Sequence, residues 1–256
     1  MADILDGLSE ANLPHRVGYY FETLLKFWFV HSPDYQLVES QRQIIVDNIT
    51  KGEVDFLLKD QNGQLQHWET AIKFYLYDPE NQRNGSSFMG PDPRDNFERK
   101  RDRLLGHQLN LSRQYFPDVQ LRLAYVKGRI FYPRRGTHPE ILPTGLSEDH
   151  LQGVWFRCKE TESYLEGLPA ESGCQILSKP FWLSSVGPEP APTYSADQFL
   201  PIIRRHFNGS LKPVHFCQVA INGNETKIVE RGFVVHDSWP FIESEKSAKV
   251  LSVEPT

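Results

Sequence analysis

Residues 52–76 read Gly-Glu-Val-Asp-Phe-Leu-Leu-Lys-Asp-Gln-Asn-Gly-Gln-Leu-Gln-His-Trp-Glu-Thr-Ala-Ile-Lys-Phe-Tyr-Leu. The spacing predicts two strands joined by a turn. Alternate positions Val54, Phe56 and Leu58, then Gln66, Trp68, Thr70, Ile72, Phe74 and Leu76, form a largely apolar face that packs. The other face carries Glu53, Asp55 and Leu57, then Glu69, Ala71 and Lys73. The apolar sets lie together only if opposed positions sum to an even number. A Gln61-Asn62-Gly63 loop with Gly63 in the left-handed conformation gives that register and sets Asp55 opposite Glu69. A two-residue Asn62-Gly63 turn would oppose apolar to polar and is rejected. Opposed Cβ atoms lie about 5 Å apart, where two unpaired carboxylates repel by roughly 3 kcal/mol at an effective dielectric of 20. Lys73 on the same face, or a divalent cation bridging Asp55 and Glu69, would offset that repulsion.

Outward from this hairpin, residues 35–49 contain a strand centred on Ile44, Ile45 and Val46. Residues 15–30, after Pro14, form a mostly apolar helix with Glu22 at its middle. That acid either needs a partner or lies on an exposed strip with Lys26, four residues on. Residues 78–95 are rich in Pro, Gly, Asn and Asp and make a long loop. A second helix spans about 96–115, with Leu104, Leu105, Leu111 and Tyr115 as its apolar stripe. Gln108 falls on that stripe, where it needs hydrogen bonds from backbone or from a site. Arg94, Arg99, Lys100, Arg101 and Arg103 at its start read as a solvated face or as phosphate contacts. A strand at 122–131 closes the unit. The order helix, three strands, helix, strand describes an α/β layer with a mixed sheet.

Beyond Pro133 the composition shifts, and the chain divides into a core at 1–135 and an α+β extension at 136–256. The extension is expected to hold a helix at 148–165, a strand near 174–182, a Pro-rich linker at 187–192 and a helix at 196–207. A second hairpin, 214–221 with 226–235, turns at Asn222-Gly223-Asn224, and the last residues are expected to be disordered. His150, His206, His215 and His236 are scattered and read as structural.

The chain has 256 residues, 39% hydrophobic and 24% charged, with a formal charge of −5. These values suit a soluble globular protein and argue against a general basic coat for nucleic acid, leaving room for a local patch. The N-terminus lacks a signal-peptide pattern and no stretch approaches a membrane span, so a cytoplasmic location and no membrane partner are expected. Cys158, Cys174 and Cys217 read as reduced structural thiols. No nucleophile elbow supports a serine or cysteine hydrolase.

The helix with Glu22, the strand with Asp55, the strand with Glu69 and Lys73, and the helix with Gln108 together resemble the PD-(D/E)XK nuclease superfamily. The segment 52–58 is similar to the strand of Holliday-junction-resolvase-like members. Within the superfamily, His-Trp-Glu-Thr-Ala-Ile-Lys-Phe-Tyr-Leu at 67–76 and Leu-Leu-Gly-His-Gln-Leu at 104–109 most resemble an uncharacterised bacterial family, for which the superfamily assignment is all that the resemblance supplies. It covers about residues 10–132. It implies a restriction-endonuclease-like αβββαβ core, Asp55 and Glu69 as ligands of Mg²⁺ or Mn²⁺, and Lys73, Glu22 and Gln108 as further site residues. The implied activity is hydrolysis of phosphodiester bonds in nucleic acid, DNA ahead of RNA. The superfamily spaces its acid and lysine by two, whereas Glu69 and Lys73 are four apart. Either the lysine has moved along the strand, or Lys73 is in place and its acid has migrated to Glu69 or Glu53. A catalytically degenerate binding module on the same fold, and a structural ion-pair network in an unrelated α/β protein, are the alternatives.

Overall fold

The computed structural model of the protein describes residues 16–179, 181–183, 192–223 and 225–241. Pro14, most of the expected Pro-rich linker, turn residue Asn224 and the last residues lie outside this set.

Helix α1 (Val17–His31) leads into β1 (Tyr35–Val46), β2 (Ile49–Asp60), β3 (Leu65–Tyr77) and the short β4 (Phe88–Met89). A continuous helical run comes next as α2 (Phe97–Arg103), a π-helical turn (Leu104–Gln108) and α3 (Leu109–Tyr115), then β5 (Leu121–Pro133). The second half contains β6 (Gln152–Arg157), a 3₁₀ turn and α4 (Thr161–Leu165), β7 (Ser172–Ile176), α5 (Ala196–Gly209), β8 (Val214–Asn222) and β9 (Glu225–Val235). All nine described strands belong to one sheet, ordered β1-β2-β3-β5-β6-β9-β8-β7, with β4 on β3. The fold is α/β with a mixed sheet. Its hairpin strands are antiparallel, whereas β3-β5, β5-β6 and β6-β9 are parallel.

Helix α1 buries Val17, Phe21, Leu25 and Phe29, one stripe at a spacing of four, and the last three pack against Phe56, Leu58 and Trp68. The opposite sheet face, which carries Glu53, Asp55, Glu69 and Lys73, is covered as well. Leu111 of α3 packs on Ile44, Val54 and Leu57, and Phe97 on Tyr75 and Ile130. Strand β3 is consequently buried on both sides. Val54 packs in the cluster of Leu57 and Leu111 rather than with Phe56 and Leu58; the β2-β3 ladder ends at Phe56↔Trp68, while β2 stays paired with β1 beyond it.

Two further expectations are corrected. Leu105 is 50% exposed rather than on the apolar stripe, because the π-helical turn inserts an extra residue and rotates the rest of the helix. Residues 148–165 do not form a helix: 152–157 are strand β6, paired on both sides with β5 and β9, and only Thr161–Leu165 is α-helical. Pairing within the sheet satisfies both backbone edges of this short buried segment, which outweighs its weak helical pattern. The helix expected from Ala196 and the hairpin of β8 and β9, with Gly223 at φ 61°, are present. Among the described residues no helix is long and apolar enough to cross a membrane.

Candidate functional site

The site begins with the hairpin turn. Gly63 has φ 76° and its N–H donates to the Asp60 carbonyl at 2.9 Å, while the Asp60 carboxylate accepts the N–H groups of Asn62 and Gln64. This three-residue loop sets the register Leu57↔His67 and Phe56↔Trp68. The next opposed pair in that register is Asp55 and Glu69, and there the ladder stops. The N–H and hydroxyl of Thr70 donate to Asp55 Oδ2 at 2.7 and 3.1 Å, and the N–H of Asp55 donates to Glu69 Oε1 at 3.4 Å. The two carboxylates thus take up amides that the strands would otherwise exchange, and the strands part around them.

Glu69 is fully buried. A carboxylate in that position requires several donors. Its Oε1 accepts from His67 Nε2 at 2.8 Å, and its Oε2 accepts from Gln108 Nε2 at 2.6 Å. His67, also fully buried, has Nδ1 2.7 Å from the Ser112 hydroxyl, which in turn accepts from Arg122 Nε at 3.0 Å. Because a carboxylate only accepts, Nε2 of His67 carries the proton of that bond, while Nδ1 pairs with the Ser112 hydroxyl, which also lies 3.2 Å from the Leu109 carbonyl. Gln108 ends the π-helical turn, whose signature is the Leu109 N–H bonded to the Leu104 carbonyl. That local widening aims Gln108 down at the sheet, consistent with the frequent occurrence of such turns at functional positions.

Gln108 also accepts from Lys100 Nζ at 3.2 Å, one helical segment earlier. Burial lowers the Lys100 pKa first and the charge of Lys73 next, while Asp55 and Glu69 push it back up, so Lys100 lies within the field of both acids. Lys73 itself is drawn to Asp95 in the long loop. Its strand is held tightly against β5 at this level: Gly128 has φ 150°, and a Cβ there would lie 1.7 Å from the Lys73 carbonyl oxygen. Glu22 accepts from Gln41 at 3.3 Å rather than pairing with the exposed Lys26. Burial raises its pKa, Gln41 opposes this, and the charges of Glu53 and Glu69 raise it further. Asp55 is pushed up to about 7, by burial first and by the charges of Glu69 and Glu22, against the hydrogen bonds from Thr70.

Of the residues singled out in the sequence, Asp55, Glu69 and Gln108 are joined by hydrogen bonds, and Glu22 shares their electrostatic environment without touching them. Lys73 is on the expected face but engaged elsewhere. Lys100, His67, Ser112 and Thr70 complete the network. His67 is within reach of alternation alone, since it sits two positions before Glu69 on the same face. Lys100 reads in the sequence as part of the solvated basic cluster, and only the fold brings it to Gln108. Among the described residues no three His, Cys, Asp or Glu side chains converge as a metal-ligating group. Asp55 and Glu69 lie within each other's field, and hard oxygen donors of this kind are the type that hold Mg²⁺ together with substrate phosphate oxygens. Cys174 and Cys217 are buried free thiols whose pKa values burial pushes up to about 12 and about 11, which leaves them unreactive.

A family model described as "Domain of unknown function (DUF1853)" matches residues 2–235, and the chain belongs to that family. No curated protein and no solved structure matches it.

Proposed function

We propose that the protein is a metal-dependent phosphodiesterase acting on nucleic acid, with DNA the first substrate, and that β1–β3, β5 and their helices constitute a restriction-endonuclease-like core. The observation that carries the reading is the parting of β2 and β3 at Asp55 and Glu69, with Gln108 of the covering helix donating to Glu69 and Lys100 donating to Gln108 within the field of both acids. Asp55 and Glu69 are the residues that would hold Mg²⁺ or Mn²⁺, which supplies Lewis-acid polarisation of a phosphate when bound. Lys100 offsets negative charge developing on the phosphoryl oxygens. His67 and Gln108 fix the orientation of Glu69 from behind, and Ser112 fixes His67. Glu22, already destabilised as an anion, is placed to accept a proton or to complete a cation's surroundings. Lys73, held by Asp95, is a reserve of positive charge at the loop side of the site.

One observation favours a second reading, a binding module without catalysis. Both Glu69 oxygens and Asp55 Oδ2 are satisfied by donors of the protein itself. The experiment that separates the two is cleavage of labelled linear, nicked, single-stranded and four-way-junction DNA with Mg²⁺ or Mn²⁺. Under the nuclease reading the wild type cuts in a metal-dependent manner and Asp55→Ala does not. Strand binding without cutting, in a protein that calorimetry shows to bind neither metal, supports the binding module instead.

A further inference from the structure

Beside the candidate site, two polar atoms are buried without partners. Tyr75 lies on β3 two positions after Lys73, on the same face and roughly 7 Å along the strand. The residue is 3% exposed, and among the described residues nothing hydrogen-bonds its hydroxyl. A buried hydroxyl without a partner costs free energy, and such a group in a native structure calls for an explanation. The segment that covers it leads into α2. Phe97 packs edge-on against the Tyr75 ring at 5.8 Å, and Asp95, two residues earlier, holds Lys73 Nζ at 2.5 Å. The second unpartnered atom is Glu98 Oε2. Burial first, then the charge of Asp95 and then that of Glu98, raise the Tyr75 pKa, so the hydroxyl stays a protonated donor within the field of two carboxylates.

The Asp95 side chain can turn while its main chain stays in place. The Gly90 N–H donates to the Asp95 carbonyl at 2.8 Å, the Asp95 N–H donates to the Asp92 carbonyl at 3.0 Å, and Asn96 caps α2 directly after it. The carboxylate takes no part in these bonds; its side chain is 38% exposed, and that of Lys73 is 28% exposed. An ion pair so open to water contributes little and exchanges partners. Lys73 also acts on Lys100, whose pKa burial lowers first and the Lys73 charge lowers next, so the two ammonium groups already lie in one field beside the carboxylates. Strand phosphates are the stronger competitors for such a lysine, because binding them releases condensed counterions. Asp95, not Glu98, is the acid that bonds Lys73, so a change of partner at Lys73 frees Asp95 beside an unused donor.

We propose that Asp95 is a latch on Lys73: a bound strand takes Lys73 for one of its phosphates, and the released Asp95 carboxylate accepts the Tyr75 hydroxyl. The proposal rests on the reading that this site takes nucleic acid, and it makes Asp95 and Tyr75 positioning residues that act through Lys73. The test is fluorescence anisotropy of the full-length protein with fluorescein-labelled linear duplex DNA, in EDTA and across a salt series. Asp95→Asn leaves Lys73 a neutral partner of the same shape. It is expected to bind about fivefold tighter and to steepen the plot of log affinity against log salt by about 0.9, one phosphate contact. Adding Lys73→Gln removes both gains. Tyr75→Phe keeps the ring and is expected to bind about fivefold more weakly than wild type, yet to have no effect on top of Asp95→Asn, where Lys73 is already released. Glu98→Gln removes the same charge near the same hydroxyl and is expected to bind as wild type. An Asp95→Asn protein that binds no tighter than wild type overturns the latch, as does a Glu98→Gln protein that gains as much. A Tyr75→Phe loss that persists in the Asp95→Asn background overturns it as well. Should Tyr75→Phe melt early, the pair of Asp95→Asn with and without Lys73→Gln carries the test. Cleavage by the wild type with Mg²⁺, beside unchanged binding by Asp95→Asn, sinks the latch and leaves the nuclease reading standing; Lys73-dependent tightening in a protein that never cuts does the reverse.

Discussion

The two halves of the sheet are buried in opposite ways. Under α5, in the second half, lie Phe156, Tyr164, Phe199, Phe216 and Val234, an apolar cluster with rings 4.6 to 5.7 Å apart. Under α2 and α3, in the first half, the buried positions include His67, Glu69 and Ser112. Hydrophobic burial stabilises the one, whereas the other spends buried positions on polar groups that need each other to be tolerated. The contrast extends to titration. In the second half, His215 is stacked on Phe233 at 4.5 Å, its ring nitrogens have no hydrogen-bond partner among the described residues, and burial, together with Arg231 and Arg129, holds its pKa well below the usual value. In the first half, Asp55 is pushed in the other direction. A buried network of hydrogen-bonded polar groups around a carboxylate, as under α2 and α3, marks where stability has been given up, and functional sites are where that is expected.

The largest expected effect is on the apolar half. Phe216→Ala removes a fully buried ring that contacts Phe156, Tyr164 and Phe199, and should cost about 3 to 5 kcal/mol in urea unfolding. A loss below about 1 kcal/mol would break the contrast between the halves. Next, Lys100→Ala should lower metal-dependent cleavage about 10²-fold or more with little change in melting, and Lys73→Ala should lower it less, because Lys73 is engaged by Asp95. The reverse ranking would restore Lys73 as the working lysine.

The pH dependence of stability, measured in EDTA, sharpens the comparison further. Asp55 binds a proton more tightly folded than unfolded, so it costs stability as pH rises from its ordinary 3.8 through about 7. Asp55→Asn keeps an acceptor for Thr70 and should therefore stabilise the metal-free protein by about 1 to 3 kcal/mol above neutral pH. Unfolding of that variant would mean that Asp55 belongs to a structural ion pair. His215 has the opposite sign: its folded pKa is depressed, so it costs stability as pH falls below 6.5, and His215→Phe should remove that acid limb. The smallest effect belongs to Arg204 and Glu162, paired at 2.9 Å with side chains 58% and 60% exposed; Glu162→Gln should change stability by less than about 0.5 kcal/mol.

Much of the first half was legible in the sequence because local rules and the tertiary fold agree there. The left-handed Gly63 and the alternation of Phe56, Leu58 and Trp68 are sufficient to set the hairpin register, and with it the juxtaposition of Asp55 and Glu69. Asn96, whose side chain accepts from the Arg99 N–H, marks the start of α2 in the same way. Features decided by distant partners were not legible. The strand at Gln152–Arg157 exists because β5 and β9 flank it. The π-helical turn, with its displacement of Leu105 and its delivery of Gln108, leaves no periodic trace in so short a stretch. Lys73 and Lys100 could not be told apart by spacing, since the loop that supplies Asp95 determines which of them is engaged.

The central claim is tested most directly by pairing cleavage with melting in one series: wild type, Asp55→Asn and Lys100→Ala, each with labelled DNA and each with EDTA or Mg²⁺, above neutral pH. The account predicts that the wild type cuts only with Mg²⁺ and is stabilised by it. It also predicts that Asp55→Asn melts higher than the wild type in EDTA yet neither cuts nor responds to Mg²⁺, and that Lys100→Ala still responds to Mg²⁺ while cutting poorly. A wild type that neither cuts nor shifts its melting with Mg²⁺, beside an Asp55→Asn variant that melts lower, would contradict it.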